Sequence, residues 1–285
     1  MTAGAASGGL LALTEREFAL FQTLVERESG IHLGASKQAL LVGRLSRRVR
    51  ALGLASFGAY YRFVTTRGHE AERVRMLDCL CTHETRFFRE PGHFEFLQHH
   101  VFPEWTRRAA RGLMERRVRV WSAGCSTGEE PYSLAMALLS RFPLGSGWEV
   151  EVLATDLSTW ALERARQGLW PLERAAQVPQ RMLRTFMLKG VRAQEGWMKA
   201  GAELRSVLRF ARVNLHDERG WPPGPFELVF CRNVLIYFGA QARTLALSAL
   251  LARLRPTGYL FLGHAESLTG GAETVRCVAP NIYRA

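Results

Sequence analysis

The residues best placed to do chemistry lie where the apolar run Val118 to Ser122 meets Gly124-Cys125-Ser126-Thr127-Gly128-Glu129-Glu130 and a helix opening at Pro131-Tyr132-Ser133. A glycine-rich turn between a first strand and a helix lets a ligand lie against the backbone, with the helix's N-terminal amides aimed at it. A nucleotide-like ligand is implied. The loop carries neither G-x-x-x-x-G-K-[ST] nor a full G-x-G-x-x-G, and two glutamates at the helix start would repel a pyrophosphate. They suit a cationic or neutral ligand, which moves the choice from dinucleotides towards S-adenosylmethionine, with its sulfonium and amino group.

Asp156 ends the next apolar run, Val150 to Thr155. An acid at the end of the second strand of a doubly wound sheet can accept both ribose hydroxyl protons. Capping the helix that follows, LSTWALERAR, is the competing role for the same side chain. Asn214 and Asn233 end the runs VLRFARVN and FELVFCRN, so each is either an adenine-edge partner or a turn residue. Tyr237 lies four residues beyond Asn233, within reach of the same pocket if the chain coils, and is otherwise a core tyrosine. Upstream, CTHETRFFREPGHF gathers His83, Thr85, Arg86 and Arg89 before Pro91. Laid over the glycine loop, Arg89 would pair a carboxylate through its planar guanidinium; left outside, it is a surface cation.

The elements that must position these groups follow from the hydrophobic pattern. Residues 15 to 105 read as amphipathic helices punctuated by glycines, and short apolar runs alternate with helical stretches from Arg117 onward. Alternation of this kind predicts βαβ units and a parallel sheet. The predicted organisation is a flexible tail over 1–14, a small all-helical domain over 15–90 and an α/β domain over 91–285. The stretch 169–209 breaks the rhythm, either as an inserted piece or as a long crossover.

At 285 residues and 47% hydrophobic, the chain has enough apolar material for a sizeable core, which excludes disordered and fibrous classes. It contains no apolar run long enough to span a bilayer, and its first residues lack a secretory pattern. A soluble, cytoplasmic protein with no membrane insertion is expected. Five cysteines without a C-x-x-C pair indicate neither a disulfide framework nor a metal site. The formal charge of +12 implies an anionic partner or at least anionic steering, and leaves nucleic acid, acidic membrane and acidic protein surfaces open. The stretch 37–67 holds seven cations and no acid; on a helix, Lys37, Arg44, Arg47 and Arg48 fall on one side and Leu41, Leu45, Val49 and Leu52 on the other. One face is expected to pack and the other to meet something acidic.

Across KQALLVGRLSRRVRALGLASFGAYY, THETRFFREPGHF, WSAGCSTGEEPYSLAM, ATDLSTWALERARQGLW, FELVFCRNVLIYF and LRPTGYLFLGHAESL, the chain resembles the CheR-type chemotaxis methyltransferases, which esterify glutamate side chains of bacterial chemoreceptors. The resemblance implies an N-terminal helical domain and a Rossmann-like S-adenosylmethionine-dependent domain, with a small antiparallel β-subdomain inserted at about 169–209. It implies cofactor contacts at His83, Thr85, Arg89, Gly124, Glu129 or Glu130, Asp156, Asn214 with Leu215, and Asn233 with Val234. Arg89 and Tyr237 resemble the pair beside the transferred methyl. The implied partner is the acidic helical surface of a methyl-accepting receptor's cytoplasmic domain, met by Lys37, Arg44, Arg47 and Arg48; a monomer is expected, with no nucleic acid. His83 stands where many members have Asn, which would make binding pH-dependent, and Thr257 departs from a turn that often reads Pro-Gly-Gly. An exposed edge strand within Gly190 to Gly201 would be the place for a receptor tail peptide to add. The competing functions are methylation of RNA or of another protein, and a catalytically silent cofactor-binding scaffold; no aromatic-basic RNA-stacking module supports the first.

Overall fold

The computed structural model describes residues 11–268 and 275–285. The chain divides into two units, Met1–Thr82 and His83–Ala285. Most of the tail expected over 1–14 lies outside the described residues. Leu13 is already buried in the helical core, and the Thr14 hydroxyl accepts the Glu17 N–H while the Glu17 carboxylate takes the Thr14 N–H. That reciprocal cap starts α1 (Glu15–Ser29), and Gly30, left-handed at φ 73°, ends it.

Three further helices complete the first unit: α2 (Gln38–Ala51), α3 (Phe57–Thr65) and α4 (Glu70–Leu80). Their apolar stripes meet in one core around Phe21, Leu24, Leu41, Leu45, Val49, Phe57 and Tyr60. The basic face expected on α2 is divided between two roles. Lys37 and Arg47 are exposed, but Arg48 grips buried Glu72 with both Nε, at 2.6 Å, and Nη2. Arg44 donates to the carbonyls of Leu80 and Cys81 and to the Thr82 hydroxyl. Positions 44 and 48 lie one turn from Leu41 and Leu45, on the flank of the buried stripe, so both guanidiniums fold over its edge onto α4 instead of facing outward. Tyr60 donates to Glu72 Oε1 at 3.0 Å, and burial pushes the phenol well above its usual range.

Arg48→Ala would leave Glu72 buried without its guanidinium. Because Arg48 is itself a quarter exposed, the expected loss is about 1–3 kcal/mol, below the full cost of breaking a buried pair. Arg47→Ala should stay within about 0.5 kcal/mol of wild type. Thermal denaturation of the two variants checks the contrast, and equal melting temperatures would refute it.

The second unit opens with α5 (Pro91–Phe96), which runs through a π turn into α6 (Phe102–Ala110). Then come β1 (Arg117–Ala123), α7 (Glu129–Arg141), β2 (Glu149–Asp156) and α8 (Thr159–Gln167). The irregular stretch forms β3 (Leu169–Pro171), α9 (Gln180–Phe186), β4 (Met187–Lys189), β5 (Trp197–Ala200) and α10 (Ala202–Val207). It is an antiparallel sheet of its own, in the order β3-β5-β4. The strand within 190–201 is therefore central, not an edge, and β4 with exposed Leu188 lies at one side.

The main sheet resumes with β6 (Leu208–Arg212), β7 (Phe226–Cys231), α11 (Ala240–Leu251), β8 (Leu254–Leu262), β9 (Arg276–Ala279) and β10 (Ile282–Arg284). Its order is β6-β2-β1-β7-β8-β10-β9, with the first five strands parallel and the last two added antiparallel. Alternate residues feed cores on the two faces: Val118, Val120, Leu228 and Phe230 on one, Trp121, Ala123, Val229 and Cys231 on the other. All six residues of β7 are buried, as a central parallel strand requires. The chain builds outward from β1 to β6 and then restarts on β1's other side with β7. That reversal opens a crevice at the carboxyl ends of β1 and β7, where such sheets bind ligands. Among the described residues no helix is long and apolar enough to cross a membrane.

Candidate active site

Two loops form the walls of the crevice. After β1, Gly124 and Gly128 take φ of 89° and 102°. A Cβ on Gly124 would lie 2.3 Å from Val234 Cγ2 in the turn after β7. Only glycine allows the two walls to approach so closely.

Asp156 closes the glycine turn from the side: Oδ2 accepts the Ser126 N–H at 2.7 Å and Oδ1 the Ser158 N–H at 2.9 Å. The helix cap is Ser158, whose hydroxyl accepts the Ala161 N–H. Asp156 thus does not cap α8. Asn214 stands past β6, where its Oδ1 accepts the His216 N–H in a turn, and the neighbouring Leu215 is buried. His83 packs its ring 5.1 Å from that of Trp160, in the first turn of α8.

The two glutamates part ways. Glu130 is engaged on both oxygens, with the Ser122 hydroxyl at 2.8 Å and Arg232 Nε at 2.8 Å. Glu129, also buried, accepts the neighbouring Thr127 hydroxyl on Oε2. Glu130 is thus tied into the scaffold, and Glu129 bonds within the turn itself.

The segment carrying Arg89 belongs to this unit and is tied to it at every step. Arg174 donates to the Thr85 carbonyl, Gln177 Oε1 accepts the Phe87 N–H, and the Ser133 hydroxyl accepts the Phe88 N–H. Phe88 and Glu90 both have positive φ, 49° and 58°, a conformation that bulky residues keep only when surroundings impose it. Between them, the Arg89 carbonyl accepts Arg232 Nη1 at 2.6 Å while its own Nη1 donates to the Glu84 carbonyl at 3.0 Å. Arg232 also reaches Glu90 Oε2 at 3.4 Å and His93 Nδ1 at 3.1 Å. Burial, then the Arg232 charge, push the His93 pKa down to about 4. His93 is therefore a neutral acceptor at pH 7. Glu90, His93 and His264 bring ligand-type atoms within 4.8 Å of one another, but the guanidinium already supplies the cation there.

After β7, Asn233 is left-handed at φ 58° and leads into a single 3-10 turn, Leu235–Tyr237. Tyr237 is 39% exposed, so it is no core tyrosine. Buried Glu266, beyond β8, accepts the N–H groups of Asn233, Val234, Leu235 and Ile236. Among the described residues, Asn233 Oδ1 and Ser126 Oγ are buried and find no hydrogen-bond partner. Unsatisfied buried acceptors at a crevice fit a ligand bearing donors, as an adenosine and an amino acid moiety do. The site thus joins Gly124, Glu129, Asp156, Asn233 and Val234 around the crevice, with Arg89 anchored beside α7. Lys37, Arg44, Arg47 and Arg48 belong to the helical unit. Sequence reasoning missed Ser133, Arg232 and Glu266, which hold these residues in place; the only signal was that Arg232 and Glu266 each follow a strand's carboxyl end.

A doubly wound parallel sheet ending in an antiparallel hairpin, with a glycine turn free of any phosphate-binding motif and an acid closing it from the second strand, defines an S-adenosylmethionine-dependent methyltransferase. Family models agree for both units: "CheR methyltransferase, all-alpha domain" matches residues 16–81 and "CheR methyltransferase, SAM binding domain" residues 83–283. A chemotaxis protein methyltransferase of Pseudomonas aeruginosa is 38% identical over 272 residues, covering 95% of this chain and 93% of the relative. The Escherichia coli chemotaxis protein methyltransferase is 36% identical over 91% of this chain and 87% of its own, and that of Borreliella burgdorferi 30% identical over 95% of both. The chain belongs to the CheR family of chemotaxis methyltransferases.

Proposed function

We propose that this protein forms methyl esters on glutamate side chains of a chemoreceptor's cytoplasmic domain. S-Adenosylmethionine supplies an electrophilic methyl on its sulfonium. In this reading Glu129, Asp156, Asn214 and Asn233 hold the cofactor, Gly124 and Val234 flank it, and Leu215 lies at the adenine end. His83 and Thr85 border it from the linker.

A glutamate with a pKa near ~4.3 is already a carboxylate at neutral pH, so the site needs no strong base. Proximity and alignment carry the rate instead. Arg89 orients the acceptor carboxylate, and the exposed Tyr237 hydroxyl fixes its angle. The observation that carries this reading is the Arg232 bridge, which joins Glu130 at the glycine turn to the Arg89 carbonyl and so couples the acceptor-orienting residue to the cofactor loop.

Of the four cations on the face expected to meet the receptor, recognition falls to the two that the fold leaves exposed, Lys37 and Arg47. Lys37→Glu with Arg47→Glu should raise the KM for receptor severalfold and leave S-adenosylhomocysteine affinity unchanged. A parallel loss in both would refute the assignment.

The deciding experiment is transfer of labelled methyl to purified receptor followed by alkali. Methanol release identifies carboxyl esters. Alkali-stable label on RNA or on another protein would replace the acceptor, and cofactor binding without transfer to any acceptor would make the chain a silent scaffold.

A further inference from the structure

We propose that Glu266 is a positioning residue for methyl transfer: its carboxylate fixes the turn at 233–237, and with it the Asn233 amide and the Tyr237 hydroxyl, before any ligand enters. The inference rests on the methyl-transfer reading above.

Five backbone N–H groups converge on this one side chain. Oε1 accepts from Val234 at 2.9 Å, Leu235 at 2.7 Å and Ile236 at 3.2 Å; Oε2 accepts from Asn233 at 2.7 Å and Gly263 at 2.7 Å. Glu266 is 1% exposed, and its own N–H returns to the Gly263 carbonyl at 2.8 Å. The first N–H groups of any helical turn lack intrahelical partners. Here a buried carboxylate from a different strand's end takes all of them, which fixes a left-handed Asn233 and the entry to Tyr237 in one arrangement.

Space at the junction is equally constrained. A Cβ on Gly263 would lie 2.7 Å from Asn233 Nδ2 and 2.9 Å from Glu266 Oε2. Nothing but glycine lets the carboxylate close on the turn, so the β8 end and the β7 turn behave as one unit.

The test is Glu266→Gln. The amide keeps one acceptor oxygen and turns an NH2 group towards backbone donors, so at least two of the five N–H groups lose their partner and the turn must shift. A shift near 1 Å at reacting groups costs about 10²-fold in rate. The kcat should fall by that order, S-adenosylhomocysteine affinity should weaken through Asn233, and the KM for receptor should hold. Rates are referred to folded enzyme, and Tyr259→Phe serves as the control for instability alone. That change removes a 2.7 Å hydrogen bond to Glu104 in the same unit and should lower the melting temperature without changing kcat.

A Glu266→Gln enzyme with kcat and cofactor affinity within about twofold of wild type would overturn the proposal. If the variant does not fold, amide exchange in ligand-free wild type decides. The Val234, Leu235 and Ile236 amides should exchange as slowly as those of β7, and loop-like exchange there would overturn it. Wild type that binds S-adenosylhomocysteine but esterifies no receptor refutes the methyl-transfer reading alone, and the binding and exchange measurements still judge Glu266.

Discussion

Arg89→Ala is expected to lower kcat for receptor esterification by on the order of 10²–10³-fold, the usual cost of removing one preorganised charged donor from a reaction site. The fold should survive, because among the described residues the side chain's hydrogen bond is a local one, to the carbonyl of nearby Glu84. What holds the segment is its backbone: the Arg89 carbonyl on Arg232 and the Phe88 N–H on Ser133. Alanine keeps both. Arg89→Lys retains the charge but loses the planar fork that grips two carboxylate oxygens at once, so it should recover only part of the rate. Because the acceptor is already ionised at neutral pH, the pH–rate profile should keep its shape while its height falls. Methyl transfer by Arg89→Ala at more than about a tenth of the wild-type rate would remove Arg89 from the acceptor site.

Much of this arrangement was legible because its signals are local. The glycine turn, the acid closing the second strand and the alternation of strands with helices each sit within one stretch of sequence, and the structure places the turn and the acid at the same sheet edge. The competing roles of Asp156 separate because Ser158, two residues on, is the better cap. Depth was not legible. Arg44 and Arg48 share a helix face with Lys37 on any wheel, yet the fold tucks them against α4, because the wheel gives direction and not how far the neighbouring helix wraps around. The clamps were hidden for another reason. Arg232 and Glu130 are 102 residues apart, and Glu266 and Asn233 are 33 apart. A buried ion is indistinguishable in sequence from a solvated one until the topology brings its partner to it.

The residue whose loss should most damage stability is one of those clamps. Arg232 has a 1% exposed side chain between Glu130 and Glu90, with the rings of Phe230 and Phe94 against its guanidinium. Arg232→Met fills the space but strands two buried carboxylates, an expected loss of about 3–5 kcal/mol. For a unit of this size that lowers the melting temperature by roughly 10 °C. Adding Glu130→Gln should return a substantial share, since the penalty lies in the uncompensated charge and not in the missing contact; strictly additive losses would contradict this.

The pH dependence separates the roles further. In wild type the folded-state pKa of His93, about 4, lies below the ordinary value of 6.5. The unfolded chain therefore binds the proton first, and stability falls as pH drops from about 6.5 towards 4. In Arg232→Met the cation that helps hold that pKa down is gone, while Glu90 remains 3.4 Å from His93 Nδ1. His93 then takes up a proton more readily and partly replaces the lost charge. The gap in melting temperature between wild type and variant should accordingly narrow from pH 7 to pH 5. A gap that stays constant over that range would mean that His93 and Arg232 do not share one electrostatic site.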